Sequence, residues 1–291
     1  MTVHAPISTA AVPADAVIAA LAAIKSKLAT GYVIPYLGPE LFAGGSGSIP
    51  TTPEALALAL HAKAPVSGRI RGNLWAAAQF IESRRHRKTL TALMTGIFRA
   101  PIAPTVLHHG LARQRLPLIV DTWYDGAMRA ALLESGRTEW GEIQGVTRAG
   151  EFREIWTRAY DASGAQVDMA AAAGWTTILY KPHGAITPAA NFLVSDSDYV
   201  EVLTEIDIQT PIPDVVKERR QKCAFLFIGA RFDDQMLRIF ARQITKRSAG
   251  GHLAIAERVL LTRNEARFLD ETGIGLIDSP LAAAVGLLAA G

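Results

Sequence analysis

The chain has 291 residues, 49% of them hydrophobic and 20% charged, so one large domain or two small ones can bury a core. These proportions exclude a wholly disordered chain, a coiled coil and a collagen-like rod, and no apolar run reaches the 18 residues of a membrane-spanning helix. Lys and Arg outnumber Asp and Glu by 30 to 27, a net charge of +3 that argues only weakly for a polyanion, so we expect no nucleic-acid partner.

The cysteine content and the N-terminus bear on the cellular compartment. Cys223 is the only cysteine, which excludes an intramolecular disulfide framework and a cysteine-rich zinc site. The first 14 residues contain no basic segment of the kind that opens an export signal. We therefore expect a cytoplasmic protein with no membrane association and no metal site.

The N-terminal half of the chain is predicted to consist of helices around two short strands. Apolar residues recur at helical spacing over residues 16–28, and residues 32–37 form a β-rich run. The elements that follow are predicted, in chain order, to be a turn at 38–40, a loop at 43–48, a helix opened by Thr52 as N-cap and Pro53 at the first position, helices over 74–99 interrupted near 89–95, a helix over 105–113, a strand over 116–120 and a helix ending at Leu133.

The C-terminal half begins with the least regular stretch of the chain, residues 135–174. We predict an inserted subregion there, with strand segments at 142–147 and 152–160. The apolar run 223–228 is the clearest central strand. The remaining predicted elements are, in chain order, a strand over 176–181, a helix starting within 197–204, a helix after Asp233 and Asp234 that ends at Ile244, a strand over 252–256, a helix over 262–272 and a strand over 275–278.

The alternation of strands and helices predicts an α/β fold with a doubly wound, mostly parallel sheet. Ligands bind such sheets in the crevice at the carboxyl ends of the strands. Four segments follow strands directly, and one cleft can gather them: 38–40, 122–125, 182–184 and 229–231. A glycine-rich turn in this position presents backbone N–H groups to a pyrophosphate, so Gly38 and Gly229 are candidates for a close approach to a ligand.

In this order and spacing, the segments resemble motifs of the bacterial sirtuin-like (SIR2-like) family, in its NAD-consuming branch without the zinc module. The resemblance extends from residue 32 to about residue 277. The matching segments are 36–41 with 48–50 for Gly-Ala-Gly-x-Ser and a later Ile-Pro, 121–125 for Thr-Asn-Tyr-Asp, 179–184 for Lys-Leu-His-Gly, 197–199 for Thr-x-x-Asp-Tyr, and 225–234 for Leu-Phe-Ile-Gly-Tyr-Ser-Phe-x-Asp.

The resemblance implies a Rossmann-like, sirtuin-like domain over residues 31–291, after an N-terminal helix within residues 1–30. It also implies NAD or an ADP-ribose-type nucleotide as ligand and cleavage of NAD to nicotinamide and ADP-ribose. His183 would then be the catalytic polar group and Asp125 would assist. The residues that the resemblance places around the cofactor are Gly38, Pro39, Glu40, Thr122, Trp123, Gly229 and Arg231. We also expect a homo-oligomer.

Two departures from the family motifs favour an alternative function. Trp123 stands where the family has Asn, and an indole cannot accept a hydrogen bond from water. Pro39 and Glu40 replace Ala-Gly, which removes a backbone donor and brings a carboxylate towards the phosphates. The alternative is a catalytically inactive nucleotide sensor or assembly subunit on the same scaffold. A third possibility is a structural subunit with an empty cleft.

Each candidate residue also has a purely structural interpretation. His183 fits a hydrogen-bonded histidine in a turn, Trp123 a packing aromatic, and Asp125 a helix cap. His108-His109 has metal-ligand chemistry but no identifiable partners. The basic run 84–88 is either a solvated helix face or a patch that binds phosphate or a partner.

Overall fold

The fold is taken from a computed structural model, which describes residues 14–43, 49–147, 155–208 and 212–289. For residue 14 and residues 203–208 only the backbone is described. The predicted loop at 43–48, after its first residue, and the start of the predicted strand 152–160 lie outside these ranges. Within the described ranges, no helix combines the length and the apolar character that are needed to cross a membrane.

The described chain alternates strands with helices over most of its length. The strands are β1 (Val33–Leu37), β2 (Leu118–Asp121), β3 (Trp140–Gly145), β4 (Thr157–Asp161), β5 (Gln166–Val167), β6 (Thr177–Lys181), β7 (Gly184–Ala185), β8 (Asn191–Phe192), β9 (Ala224–Ile228), β10 (Leu253–Ala256) and β11 (Gly275–Asp278). The α-helices are α1 (Ala14–Ala29), α2 (Pro53–Lys63), α3 (Leu74–Ile97), α4 (Val106–Ala112), α5 (Ala127–Glu134), α6 (Asp196–Ile208), α7 (Asp214–Arg220), α8 (Gln235–Thr245), α9 (Arg263–Thr272) and α10 (Leu281–Ala289). Short 3₁₀ helices span Pro39–Phe42, Met169–Gly174 and Arg258–Leu260.

Nine strands form one sheet in the order β11-β10-β9-β1-β2-β6-β3-β4-β5. All neighbours from β11 to β3 are parallel, and only β4 and β5 pair antiparallel at the far edge. The predicted doubly wound, mostly parallel sheet is therefore confirmed. Strand order reverses at β1, which has β2 on one side and β9 on the other. Leu37, at the end of β1, pairs with Asp121 and with Ile228, so these three strands end at the same level.

Each face of the sheet buries its own apolar core, because alternate residues of a strand point to opposite faces. In β1, Val33 and Leu37 belong to the core that includes residues of α1, α4, α5 and α10. Ile34 and Tyr36 belong to the core on the other face, with residues of α7, α8 and α9. All five residues of β1 are buried, as expected for a central strand of a parallel sheet.

A third core lies under helices α2, α3 and α6. Leu56 of α2, Trp75 of α3 and Tyr199 of α6 belong to it together with Trp123 and Tyr124, which directly follow β2. The ring centroids of Trp75 and Tyr199 lie 4.6 Å apart in an edge-on arrangement. These helices therefore form a small layer beside the carboxyl end of β2. Thr52 caps α2 as predicted, since its hydroxyl accepts from the amide of Ala55 at 3.0 Å.

The stretch 135–174 belongs in large part to the main sheet. β3 pairs in parallel with β6 over five residues, and β4 and β5 continue the sheet as an antiparallel extension. Strand segments were predicted here from the sequence, but the parallel partner of β3 is distant in sequence and could not be inferred. That this stretch is an insertion relative to other family members stays a prediction.

The basic run 84–88 is split by a kink at His86, whose φ is 67° within α3. Arg87 turns inward and donates to Asp198 at 2.7 Å and to Glu82 at 3.1 Å, with its guanidinium 5.6 Å from the ring centroid of Phe192. Arg84, Arg85, His86 and Lys88 stay exposed. Arg87 therefore ties α3 to α6, whereas the other four residues of the run face solvent.

We expect Gly38→Ala to lower the free energy of unfolding by about 2 kcal/mol or more, because a Cβ at this position would overlap the backbone of Gly229 and Ala230. Gly96→Ala is the matched control, since Gly96 is exposed in α3 and a Cβ there meets no atom within 4 Å. The control should be neutral or gain up to about 1 kcal/mol from helix propensity. Urea unfolding measures the stability of both variants. Equal stabilities of the two variants would contradict the close approach of Gly38 to Gly229.

Candidate functional site

A cleft opens at the carboxyl ends of β1, β2, β6 and β9, where the strand order reverses. Its volume of about 240 Å³ is roughly twenty times what a single water needs, so it holds a group of ligand size. The lining residues are Tyr36, Pro39, Glu40, Thr51, Thr52, Pro53, Glu54, Trp75, Thr122, Trp123, His183, Ala230, Arg231, Phe232, Asp233 and Leu237.

His183, just past the end of β6, borders the cleft and is 2% exposed. Its Nδ1 lies 3.0 Å from the carbonyl oxygen of Thr122, which can only accept, so Nδ1 carries the proton. Burial, with a smaller contribution from the Lys181 charge, lowers the pKa of His183 to about 4, so the ring is neutral at pH 7. Its Nε2 is buried and has no hydrogen-bond partner. The imidazole therefore holds an unused lone pair beside the cleft.

The turn after β1 does not offer its backbone donors to a ligand. The amide of Gly38 donates to Ile228 O at 2.9 Å, and the amide of Glu40 donates to Gly229 O at 3.0 Å. Pro39 between them has no N–H. Gly38 and Gly229, the latter at a φ of 66°, approach each other and not the cleft, and neither lines it. A phosphate cradle of backbone N–H groups is therefore not formed at this turn.

Arg231 follows β9 and is matched by a buried carboxylate. Its guanidinium makes two bonds to Glu265, at 2.6 and 2.7 Å, and lies 3.5 Å from Glu40. Burial alone would raise the pKa of Glu265, but the bonds from Arg231, Thr262 and Phe232 lower it to about 2. Burial raises the pKa of Glu40, although the Arg231 charge acts against this. The single cationic side chain that lines the cleft is thus already paired.

Trp123 is a packed wall residue of the cleft. It is 4% exposed, and its indole N–H donates to the carbonyl oxygen of Pro50 at 2.9 Å. Its ring packs edge-on against Phe98 at a centroid distance of 6.0 Å. Thr122, beside it, donates its hydroxyl to Leu37 O at 2.9 Å and so ties the end of β2 to β1. Since the indole N–H is engaged, Trp123 presents the edge or face of a ring to the cleft.

A buried charged cluster lies behind the cleft, between the ends of β2 and β6. Lys181 bonds Asp121 at 2.7 Å, and both side chains are almost fully buried. Burial would lower the pKa of Lys181, but the charges of Asp121, Asp125 and Glu142 raise it. Asp125 accepts from the amide of Ala127 at 2.8 Å, whereas its Oδ2 is buried without a partner. Burial and the nearby Asp121 charge raise the pKa of Asp125 to about 6.

The structure brings most of the predicted site residues to one cleft. The six that line it are Pro39, Glu40, Thr122, Trp123, His183 and Arg231. Gly38 and Gly229 lie in the turns beneath it, and Asp125 lies in the cluster behind it, where it accepts from the first turn of α5. The roles of these residues stay predictions. Glu54 and Asp233 also line the cleft; Glu54 follows the helix start at Thr52 and Pro53, Asp233 precedes the N-cap of α8, and no local signal in the sequence places either over the sheet.

His108 and His109, the adjacent histidines with metal-ligand chemistry, contact other protein groups. His108 is buried, forms the capping box of α4 with Thr105, and has its pKa lowered to about 4, first of all by burial. His109 lies 3.7 Å from Glu134. Among the described residues, no group of three or more His, Cys, Asp or Glu side chains is placed to hold a metal ion.

The sheet order defines a Rossmann-like α/β protein, and its cleft lies at the point where strand order reverses, which is where ligands bind in such sheets. The model of the SIR2-like domain matches residues 117–277, more than half of the chain, so this protein belongs to the SIR2-like family. The matched range contains Thr122, Trp123, His183, Gly229 and Arg231, and begins after the turn at 38–40. No curated protein matches the sequence.

The raised pKa of Asp125 predicts the pH dependence of an Asp125→Asn variant. Between its ordinary value of 3.8 and its folded value of about 6, the folded state holds more protons than the unfolded state, so this group makes the wild-type protein less stable as pH rises. The neutral amide removes that loss. From pH 4 to pH 8 the variant should gain on the order of 2 kcal/mol relative to wild type.

Urea unfolding at pH 4, 6 and 8 measures this difference. Asp270→Asn, an exposed position on α9, is the control and should run parallel to wild type. A variant of Asp125 that keeps the wild-type pH dependence would show that this carboxyl is not perturbed.

Proposed function

We propose that the protein binds an NAD-type nucleotide in this cleft and hydrolyses it to nicotinamide and ADP-ribose. The observation that carries the proposal is the His183 imidazole, neutral, buried and with Nε2 unpartnered beside the cleft. Membership of the SIR2-like family supports an NAD-related function. The position at the carboxyl ends of parallel strands supports nucleotide binding.

In the proposed reaction, the bond between the nicotinamide nitrogen and the ribose C1′ breaks, and its electron pair stays on the nicotinamide. A water oxygen bonds C1′ and releases a proton. His183 Nε2 accepts a hydrogen bond from this water and orients it, because Nδ1–H is fixed on Thr122 O and only Nε2 is free. The Thr122 contact keeps the imidazole in the tautomer that has its lone pair at Nε2.

Asp125 acts on this site indirectly in the proposal. Its carboxyl does not line the cleft, but its charge, with that of Asp121, helps to keep Lys181 protonated. Lys181 in turn lowers the pKa of His183. Asp125 is therefore proposed as a positioning residue behind the imidazole and not as a group that contacts the substrate.

The second candidate function is a nucleotide sensor without catalysis, and Trp123 favours it. The indole stands where the family has Asn, and its N–H is bonded to Pro50. No side chain at this position accepts a hydrogen bond from the attacking water. On this candidate, the nucleotide binds and stabilises the fold, but the glycosidic bond stays intact.

Nicotinamide release from NAD, quantified by chromatography, tests the first function. The wild-type protein should release nicotinamide, and His183→Ala should lower the rate by about 100-fold or more. His183→Asn is the second variant, because its amide can keep a donor to Thr122 O. His252→Ala is the matched control, since His252 is another buried histidine with a lowered pKa, lies outside the cleft, and should keep the wild-type rate.

Thermal melts in NAD and in ADP-ribose separate the candidates. A ligand at a hundredfold excess over its Kd stabilises the fold by about 2.7 kcal/mol. If a nucleotide stabilises the fold but no nicotinamide is released, the result contradicts hydrolysis and supports the nucleotide sensor. Neither stabilisation nor release would overturn both candidates and leave a structural subunit.

A further inference from the structure

The groups that face the cleft are mainly hydrogen-bond acceptors and anions. The acidic residues Glu40, Glu54 and Asp233 line it, and His183, which also lines it, has a buried Nε2 lone pair without a partner. Burial raises the pKa of Glu40, Arg231 acts against this, and the charges of Glu265 and then Asp233 raise it by smaller amounts. The unpartnered imidazole is independent of the carboxylates, and it too calls for a donor from the ligand.

The cationic groups near the cleft are already matched by protein groups. Arg231 makes its two short bonds to Glu265, a side chain that is itself fully buried. Lys181 is 1% exposed and paired with Asp121. Arg238 donates to the carbonyl oxygens of Phe232 and Asp233 and does not line the cleft. The charge presented to a ligand is therefore negative.

Several backbone donors at the strand ends are engaged as well. The amides of Gly38 and Glu40 bond Ile228 and Gly229, the amide of Thr122 bonds Leu37 O at 3.0 Å, and the amide of Trp123 bonds Asp121 at 3.1 Å. The amide of Phe232 bonds Glu265. A pyrophosphate, which carries two negative charges, finds few free donors at these strand ends and meets carboxylates instead.

We propose that the cleft recognises a phosphate-free, cationic N-ribosylpyridinium, and that nicotinamide riboside is a ligand and a substrate of the same site. The inference rests on the proposed function, because it concerns the nicotinamide–ribose end of the same nucleotide. The pyridinium brings a positive charge to the carboxylates, and the carboxamide and ribose hydroxyls bring hydrogen-bond donors to the acceptors. Its hydrolysis follows the same balance: C1′–N breaks, water bonds C1′, and nicotinamide, ribose and a proton are released.

Titration calorimetry with four probes tests the proposal: nicotinamide riboside, NAD, NADH and ADP-ribose. Nicotinamide riboside should bind at least as tightly as NAD. ADP-ribose, which keeps the phosphates but lacks the cation, should bind at least tenfold more weakly than nicotinamide riboside. NADH, whose nicotinamide ring is neutral, should show the same loss.

Variants that neutralise Glu54 and Asp233 should affect the cationic ligand nicotinamide riboside and the anionic ligand ADP-ribose differently. Glu54 and Asp233 are both exposed, so Glu54→Gln/Asp233→Asn should fold as wild type. The double variant should bind nicotinamide riboside about tenfold more weakly and ADP-ribose no more weakly than wild type. Asp270→Asn, exposed and outside the cleft, is the control and should change neither affinity.

The outcomes separate this inference from the proposed function. If NAD binds and is cleaved but nicotinamide riboside binds more than tenfold more weakly, the inference is overturned and the proposed function stands. If nicotinamide riboside binds and is cleaved but NAD does not bind, the inference stands and NAD is not the substrate. If none of the four probes binds, both are overturned. If the double variant lowers the affinity for ADP-ribose as much as for nicotinamide riboside, the carboxylates do not select for charge and the inference is overturned.

Discussion

The contact between the turns that follow β1 and β9 is the constraint on which the cleft depends. Gly38 and Gly229 meet backbone to backbone, and the amides of Gly38 and Glu40 bond the chain at the end of β9. This contact joins the two turns that lie beneath the cleft. It also fixes the carboxylate of Glu40 and the guanidinium of Arg231 on the same wall. A glycine-rich turn in this position can present its N–H groups to a phosphate. Here the N–H groups of Gly38 and Glu40 join two strands instead, so they do not offset the acidic residues of the cleft.

The second fixed feature is the chain of polar contacts from the buried charges to the imidazole. Lys181 and Asp121 hold the ends of β6 and β2 together. Thr122 directly follows Asp121, and His183 lies two residues after Lys181, so the carbonyl of Thr122 is close enough to accept from Nδ1 of His183. A buried ion pair stabilises little by itself, since desolvation offsets the attraction. Its consequence here is geometric, because it brings together the strand ends from which Thr122 O contacts Nδ1 of His183.

The sequence was sufficient to predict the fold class because strand and helix periodicities are local. The runs at 32–37, 176–181 and 223–228 coincide with β1, β6 and β9 to within a residue. The motif order also brought Thr122 and His183 to one cleft, as expected for residues that follow parallel strands. Pairings over long distances in sequence were not predictable: a strand was expected near residues 142–147, but nothing local in the sequence indicates that β3 pairs with β6.

The character of the cleft was likewise hidden in non-local contacts. Glycine at positions 38 and 229 is consistent both with a turn that approaches a ligand and with two turns that approach each other. Only the three-dimensional arrangement distinguishes these. The sequence predicts Arg231 beside the cofactor, and only the structure shows that Glu265, 34 residues later, pairs with it. The sequence indicates that Asp233 lies at the start of a helix, and only the structure shows that this residue also lines the cleft.

On the proposed reaction, affinity and rate come from different groups of this cleft. The ligand carries a positive charge on the pyridinium before cleavage and on the ribose ring as the bond breaks. The carboxylates at the mouth attract both forms, and an attraction that is equal in the two states strengthens binding without speeding the reaction. His183 Nε2 instead contacts the nucleophile, whose oxygen gains positive charge only as the new bond forms. Because Trp123 leaves no second acceptor at the Asn position, the acceleration available to this site is set by one imidazole and by how firmly Thr122 holds it.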